Sequence, residues 1–166
     1  MRSAEVVRAV ADGRLDFGIV REDAVPAETK HWRLGQVGYA LFAAKAHWRN
    51  CAAVKDVLQK SPVAELKAGG QFAARWQQWL AENRLSPQVF ARVSSFTDLA
   101  SIVQTGHAAA VLPDLAAVDF DARRFNHQPV PALKPRMLVL IANERSLDRS
   151  GISPRAARNL AGILAV

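Results

Sequence analysis

SSFTDLASIVQTGHAAAVLP, residues 94–113, reads as one whole helix together with its entry and its exit. Ser95 stands three residues before Asp98, the spacing at which a hydroxyl and a carboxylate can each satisfy backbone N–H groups at a helix start. Leu99, Ile102 and Val103 follow at helical intervals as one buried face, and Gly106 closes the helix. Ala108 to Leu112 is then a short apolar run of strand type, after which Pro113 and Asp114 open a further short helix. Upstream, Val89 to Val93 is a β-branched and aromatic strand that runs directly into Ser94. Strand, helix, strand is the signature of an α/β architecture.

The same alternation extends in both directions. Val6, Val7 and Val10 mark a first helix, with Ser3 as its N-cap and Gly13 as its stop, and LDFGIV (15–20) follows as a buried strand. Gln36 to Ala44 reads as a second strand, Ala53 to Leu58 as a short helix ended by Ser61-Pro62, and Pro62 to Leu66 as another strand. Gly69-Gly70 breaks the chain before a periodic helix carrying Phe72, Trp76, Trp79 and Leu80. Val130 to Pro135 is irregular and Met137 to Ala142 is an unbroken apolar strand. Ser153-Pro154 then opens a last helix whose apolar side holds Ala157, Leu160, Ala161 and Leu164. The pattern predicts a mostly parallel or mixed sheet covered on both faces.

Composition narrows the function. The 166 residues are 50% hydrophobic and 22% charged, enough for a core, which excludes disordered, collagenous and coiled-coil classes. One cysteine, Cys51, excludes a disulfide framework and multi-cysteine metal sites. The charged N-terminal stretch has no signal-peptide core, and the longest apolar run, Val37 to Ala44, is far short of the roughly 20 residues of a membrane-spanning helix, so a soluble, cytoplasmic chain without membrane contact is expected. The net charge of +7 invites a nucleic-acid partner, but the basic residues are dispersed. The nearest cluster, Arg123 to Arg158, sets eight Lys or Arg against Glu144 and Asp148 across loops, a strand and a helix, the pattern of a solvated basic surface.

No catalytic signature is present: there is no GxSxG elbow, Walker loop, GxGxxG or HExxH. His31, His47, His107 and His127 are scattered without ligand spacing, and Asp12 and Asp16 flank a turn. The chain is therefore expected to be no enzyme and to hold no cofactor and no metal. What recurs is a helix start preceded by small hydroxyl or glycine residues: Ser3, Gly69-Gly70-Gln71 and Ser94-Ser95. Such starts offer unpaired N–H groups and the positive end of a helix dipole, which suit a small anion or carboxylate; taken singly, each is first of all the plain capping that nearly every helix needs.

ADGRLDFGIV (11–20) together with SSFTDLASIVQTGHAAAVLP (94–113) resembles the effector-binding domain of LysR-type transcriptional regulators. There, a helix ending in glycine leads into an LDxGI strand, and a later stretch of the form S-x-x-x-L-x-x-LV-x-x-G-x-G-I-x-x-LP gives strand, helix and strand. Here Ala108 replaces the second glycine, with His107 between it and Gly106. The strand from Met137 and the helix from Ser153 keep the family's order.

The resemblance implies a two-subdomain α/β fold of periplasmic-binding-protein type II, with an effector cleft between Rossmann-like lobes. On that pattern residues 1–46 belong to the first lobe, 47–132 form the second, and 133–166 return to the first. The positions carried over for the effector are Ser3, Arg21, Gly70, Gln71, Phe72, Ser94, Ser95 and Phe96. Arg21 is either a surface arginine after a strand or a charge-assisted partner for a carboxylate. Trp76 and Trp79 are read as helix-packing residues.

The family's winged helix-turn-helix, linker helix and first strand-helix-strand unit are not found in these residues. The expectation is thus an N-terminally truncated regulatory domain that senses a small anionic metabolite. It would act as a homodimer or higher oligomer and reach DNA only through a missing N-terminal domain. A stand-alone solute-binding or sensing protein of the same fold, or a truncated oligomerisation partner of full-length regulators, are the alternatives.

Overall fold

A computed structural model of the chain describes residues 3–67, 69–130, 132–143 and 154–165. The chain forms two compact units, Met1–Val37 with Pro135–Val166, and Gly38–Lys134. The second unit begins earlier than the expected boundary after residue 46. The reason is that the strand Tyr39–Ala44 finds both its neighbours within residues 110–129.

The first unit is built from helix α1 (Ser3–Ala11), strands β1 (Phe17–Arg21) and β2 (His31–Val37), a returning strand (Arg136–Ala142) and a terminal helix (Pro154–Ile163). The returning strand lies between β1 and β2 and pairs antiparallel with both. Val10, Val20, Val139 and Ile141 form a core on one side, joined by Val6, Val7 and Val25. Leu34, Leu140 and Ala161 form another with Leu160 packed against it. Leu164 falls beyond the helix and is exposed, and Ser153 and the side chain of Ala157 lie outside the described residues. Gly18 is needed where α1 crosses β1, since a Cβ there would come within 2.5 Å of Val6 Cγ1.

The second unit contains, in chain order, β3 (Tyr39–Ala44), α2 (Val54–Lys60), β4 (Val63–Leu66), α3 (Gln71–Glu82), β5 (Val89–Val93) and α4 (Phe96–Gln104). These are followed by β6 (Ala110–Pro113) and β7 (Phe125–Pro129), so the returning strand of the first unit is β8 and its last helix α5. β3 pairs antiparallel with β6 and β7, β4 pairs parallel with β5, and a parallel bridge between Val63 and Ala109 links the two ladders. Leu41, Phe42, Val57 and Leu58 are fully buried in the unit's two cores, where each contributes about 1.5–3 kcal/mol of transfer free energy.

The sheets are therefore mixed, with parallel pairing confined to β4, β5 and the bridge; the other ladders are antiparallel. The single strand expected over residues 36–44 is two strands in two sheets, broken at Gly38. The break is held by a reciprocal pair: Gly38 N–H donates to Asp114 Oδ2 at 3.0 Å, and Asp114 N–H donates to the Gly38 carbonyl at 3.1 Å. A Cβ on residue 38 would lie 2.7 Å from that carboxylate oxygen. β7 has no counterpart in the sequence reading; FNHQP lacks strand propensity and is held by its ladder to β3.

Candidate functional site

The anticipated residues fall into two groups, one in each unit. In the first unit Ser3 lies within α1 rather than serving as the cap before it. Its Oγ accepts the backbone N–H of Arg21 at 3.5 Å, so the α1 start and the end of β1 are brought together. The Arg21 side chain does not stand alone. Asp23, in the helical turn Glu22–Ala24 after β1, places Oδ1 3.4 Å from Arg21 Nε and Oδ2 3.0 Å from Arg136 Nη1. One carboxylate thus lies against two guanidinium groups, and Arg136, at 19% side-chain exposure, is the more buried of the two.

Beside this trio, Glu22 accepts a hydrogen bond from Arg33 Nε at 2.7 Å and lies 3.7 Å from His31 Nε2. The Arg33 hydrogen bond and charge hold the Glu22 carboxyl below the ordinary range, and the same bond raises Arg33. Asp23 and Arg136 were missed because their link spans 113 positions of sequence. Only the proximity of two strand ends in one sheet makes it.

In the second unit the starts of α3 and α4 are brought side by side. Phe72, in the first turn of α3, meets Phe96, the first residue of α4, edge-on with ring centroids 5.0 Å apart. Tyr39, at the start of β3 and the only tyrosine of the chain, closes the group at 4.9 Å from Phe72 and 6.2 Å from Phe96. The two helices differ in how they begin. Ser95 Oγ accepts the Asp98 N–H at 3.1 Å, the capping bond its spacing predicts, while its own O–H keeps a donor. Gly70 precedes α3 with φ +109° and ψ 158°, a conformation that only glycine adopts without strain, and no side chain caps it. Ser94 and Gln71 are exposed at these starts.

Trp76 and Trp79 pack as expected: Trp76 is buried in the core and its ring stacks on that of Trp79 at 5.2 Å. Cys51 is half-buried against the same core. His47 Nε2 lies 3.0 Å from the Gly106 carbonyl, and His127 stacks on Phe42 at 4.8 Å. Among the described residues no three His, Cys, Asp or Glu side chains are grouped as metal ligands, and no helix is long and apolar enough to cross a membrane.

Such an arrangement is suited to binding: polar backbone ends, hydroxyls, guanidinium groups and aromatic rings sit at the ends of strands in α/β units. Residues 1–160 match the LysR substrate binding domain family, and the chain belongs to it. It is accordingly an effector-binding regulatory domain of the LysR class of transcriptional regulators, with the periplasmic-binding-protein type II fold. Among solved structures, CbnR, a LysR family transcriptional regulator, superposes with a TM-score of 0.66 at 14% identity, over 99% of this chain and 56% of CbnR. The reduced regulatory domain of OxyR2 from Vibrio vulnificus gives 0.66 at 16% identity, over 98% of this chain and 78% of that one. The regulatory domain of MexT, a transcriptional activator in Pseudomonas aeruginosa, gives 0.65 at 16%, over 97% and 80%. At these identities the likeness establishes the fold. No curated protein matches the chain.

Proposed function

We propose that this domain senses a small carboxylate or other anionic metabolite, the candidate contacts being, each within its own unit, Arg21 with Ser3 in the first and the α3 and α4 starts in the second. The observation that carries this reading is the pairing of the two helix starts through Phe72 and Phe96, which sets two positive dipole ends side by side. Gly70 leaves the α3 start open to backbone contact, and Ser95 keeps a hydroxyl donor at the α4 start. In the first unit Arg21 and Arg136 form a guanidinium pair with Asp23 between them, so an incoming carboxylate there competes with Asp23 or joins it. The aromatic trio favours a ligand with an apolar body next to its charge.

In the whole regulator the domain would act in the cytoplasm as a dimer or higher oligomer, and read DNA through residues outside these 166. Thermal denaturation in the presence of benzoate, succinate and other carboxylates tests the ligand class. A ligand at about 100 times its Kd stabilises the folded state by about 2.7 kcal/mol. The gain should fall by about tenfold in apparent affinity for Arg21→Ala, the loss of one charge-assisted bond. Absence of stabilisation by every anion, or unchanged stabilisation in Arg21→Ala, overturns the reading.

A further inference from the structure

Among the described residues of the second unit, Glu65 is a charged residue that is buried, with its side chain 3% exposed. Glutamates are rarely placed so without a charged partner or a use. Its Oε1 accepts the Trp76 indole N–H at 3.1 Å and the Gln77 amide at 3.4 Å. A neutral acceptor, as in glutamine, would serve the indole equally. Its Oε2 faces Arg92, the neighbouring residue across the β4–β5 ladder. That separation is 3.6 Å, well beyond the ~2.7–2.9 Å of a close charge-assisted bond. Arg92 is 60% exposed, so its guanidinium is solvated and can turn outward at little cost.

The same two charges border a cavity of about 610 Å³ between α3 and the ends of β4 and β5, within the size range of small-molecule sites. On the α3 side its wall is made of Gly70, Ala73 and Ala74, residues too small to fill it, and a Cβ built on Gly70 would meet nothing within 4 Å.

We infer that this cavity binds a small zwitterion of the α-amino-acid type, its ammonium group on Glu65 Oε2 and its carboxylate on Arg92. A buried anion at the wall and a guanidinium at the mouth match the two ends of such a molecule. The volume beyond Ala73 and Ala74 takes its side chain. Every residue invoked lies in Gly38–Lys134; the site shares Gly70 with the α3 start of the anion reading above, and Glu65, Arg92 and Ala74 are its own.

The test titrates the 166-residue chain with L-alanine, L-glutamine, methylammonium and acetate. Intrinsic tryptophan fluorescence reports the Trp76 indole bonded to Glu65, and calorimetry provides a second readout. The amino acids should bind saturably, methylammonium more weakly and acetate not at this site. Glu65→Gln, which keeps an acceptor for Trp76, should weaken the amino acids by about tenfold. Ala74→Leu fills the cavity from an exposed helix position without touching the ion pair and should weaken them comparably, so a folding defect in the first variant leaves the idea testable. Arg92→Ala should weaken the amino acids but not methylammonium. No saturable amino-acid binding, parental affinity in both Glu65→Gln and Ala74→Leu, or acetate displacing L-alanine as effectively as L-glutamine does would each overturn the assignment.

Discussion

The two units present their candidate residues in different ways. In the first, Ser3, Arg21, Asp23 and Arg136 are tied by charges and hydrogen bonds at strand ends, with side chains between 19% and 40% exposed in the ion pairs. In the second, the corresponding positions are fixed by backbone geometry and by rings: a glycine at positive φ, a capped helix start, and Tyr39, Phe72 and Phe96 in mutual contact. Partly solvated charges contribute little to stability and much to ligand electrostatics. A backbone conformation open only to glycine and ring packing bear on stability directly. Mutations in the second unit should therefore be read in denaturation curves, and those in the first in salt and ligand dependence.

The largest effect is expected at Gly70. A β-branched residue there meets no steric obstacle but must hold φ +109°, so Gly70→Val should destabilise the chain by about 1–3 kcal/mol in urea denaturation. An unchanged midpoint would mean that the α3 start relaxes and is not fixed by backbone geometry. Next is Ser95→Ala, which removes the capping bond to Asp98 N–H and should cost about 1 kcal/mol, with circular dichroism reporting lost helix. In the first unit Asp23→Asn should shift stability by less than about 1 kcal/mol, since its partners are partly solvated. It should raise affinity for carboxylates by removing one negative charge beside the two guanidinium groups. A large loss of stability with unchanged anion affinity would erase the contrast between the units.

The smallest expected effect is electrostatic. Glu22 and Asp56 are both held below ordinary carboxylate values, Glu22 by Arg33 and Asp56 by the backbone N–H groups of Ala53 and Ala52 at the start of α2. A depressed folded value means stability that is present above the ordinary carboxylate range and lost as pH falls through the lower folded value. Glu22→Gln should flatten part of that acid limb at low salt and little of it at high salt, because its partner is a solvated ion. Asp56→Asn should flatten its share at both ionic strengths, its partners being backbone amides. Equal salt sensitivity of the two would contradict the assignment of causes.

The elements most legible in sequence were those whose signals are local. Ser95, Leu99, Val103 and Gly106 define α4 by themselves, and the structure places cap, buried face and exit where the spacing does. The Gly38 break could not be read from the run Gln36 to Ala44, because the residue that forces it, Asp114, is 76 positions away. β7 was invisible for the same reason, as a partner strand rather than propensity makes it a strand. The site followed the same division. Helix starts are written in short spacings and yielded Gly70 and Ser95, and the family resemblance added Phe72 and Phe96; Tyr39 joins the two rings, and in the first unit Arg136 joins Asp23, only through long-range contacts. Glu65 carries no local mark of burial; a charged residue in VAEL reads as an edge of the strand until α3 covers it.

The central place of β8 has a consequence for synthesis. Among the described residues β1 and β2 are bonded in a sheet only through β8, which ends at Ala142. The second unit, by contrast, is one unbroken segment that ends at Lys134. Growing at about 5–20 residues per second, the chain needs roughly 5–20 s to pass from Val37 to Ala142. During that interval the second unit can close while β1 and β2 wait with open edges, a window in which a chaperone or a neighbouring chain can pair with them. Hydrogen exchange on ribosome-arrested chains ending just after Lys134 should find β3 protected and β1 unprotected; early protection of β1 would show that its edge is covered by something other than β8.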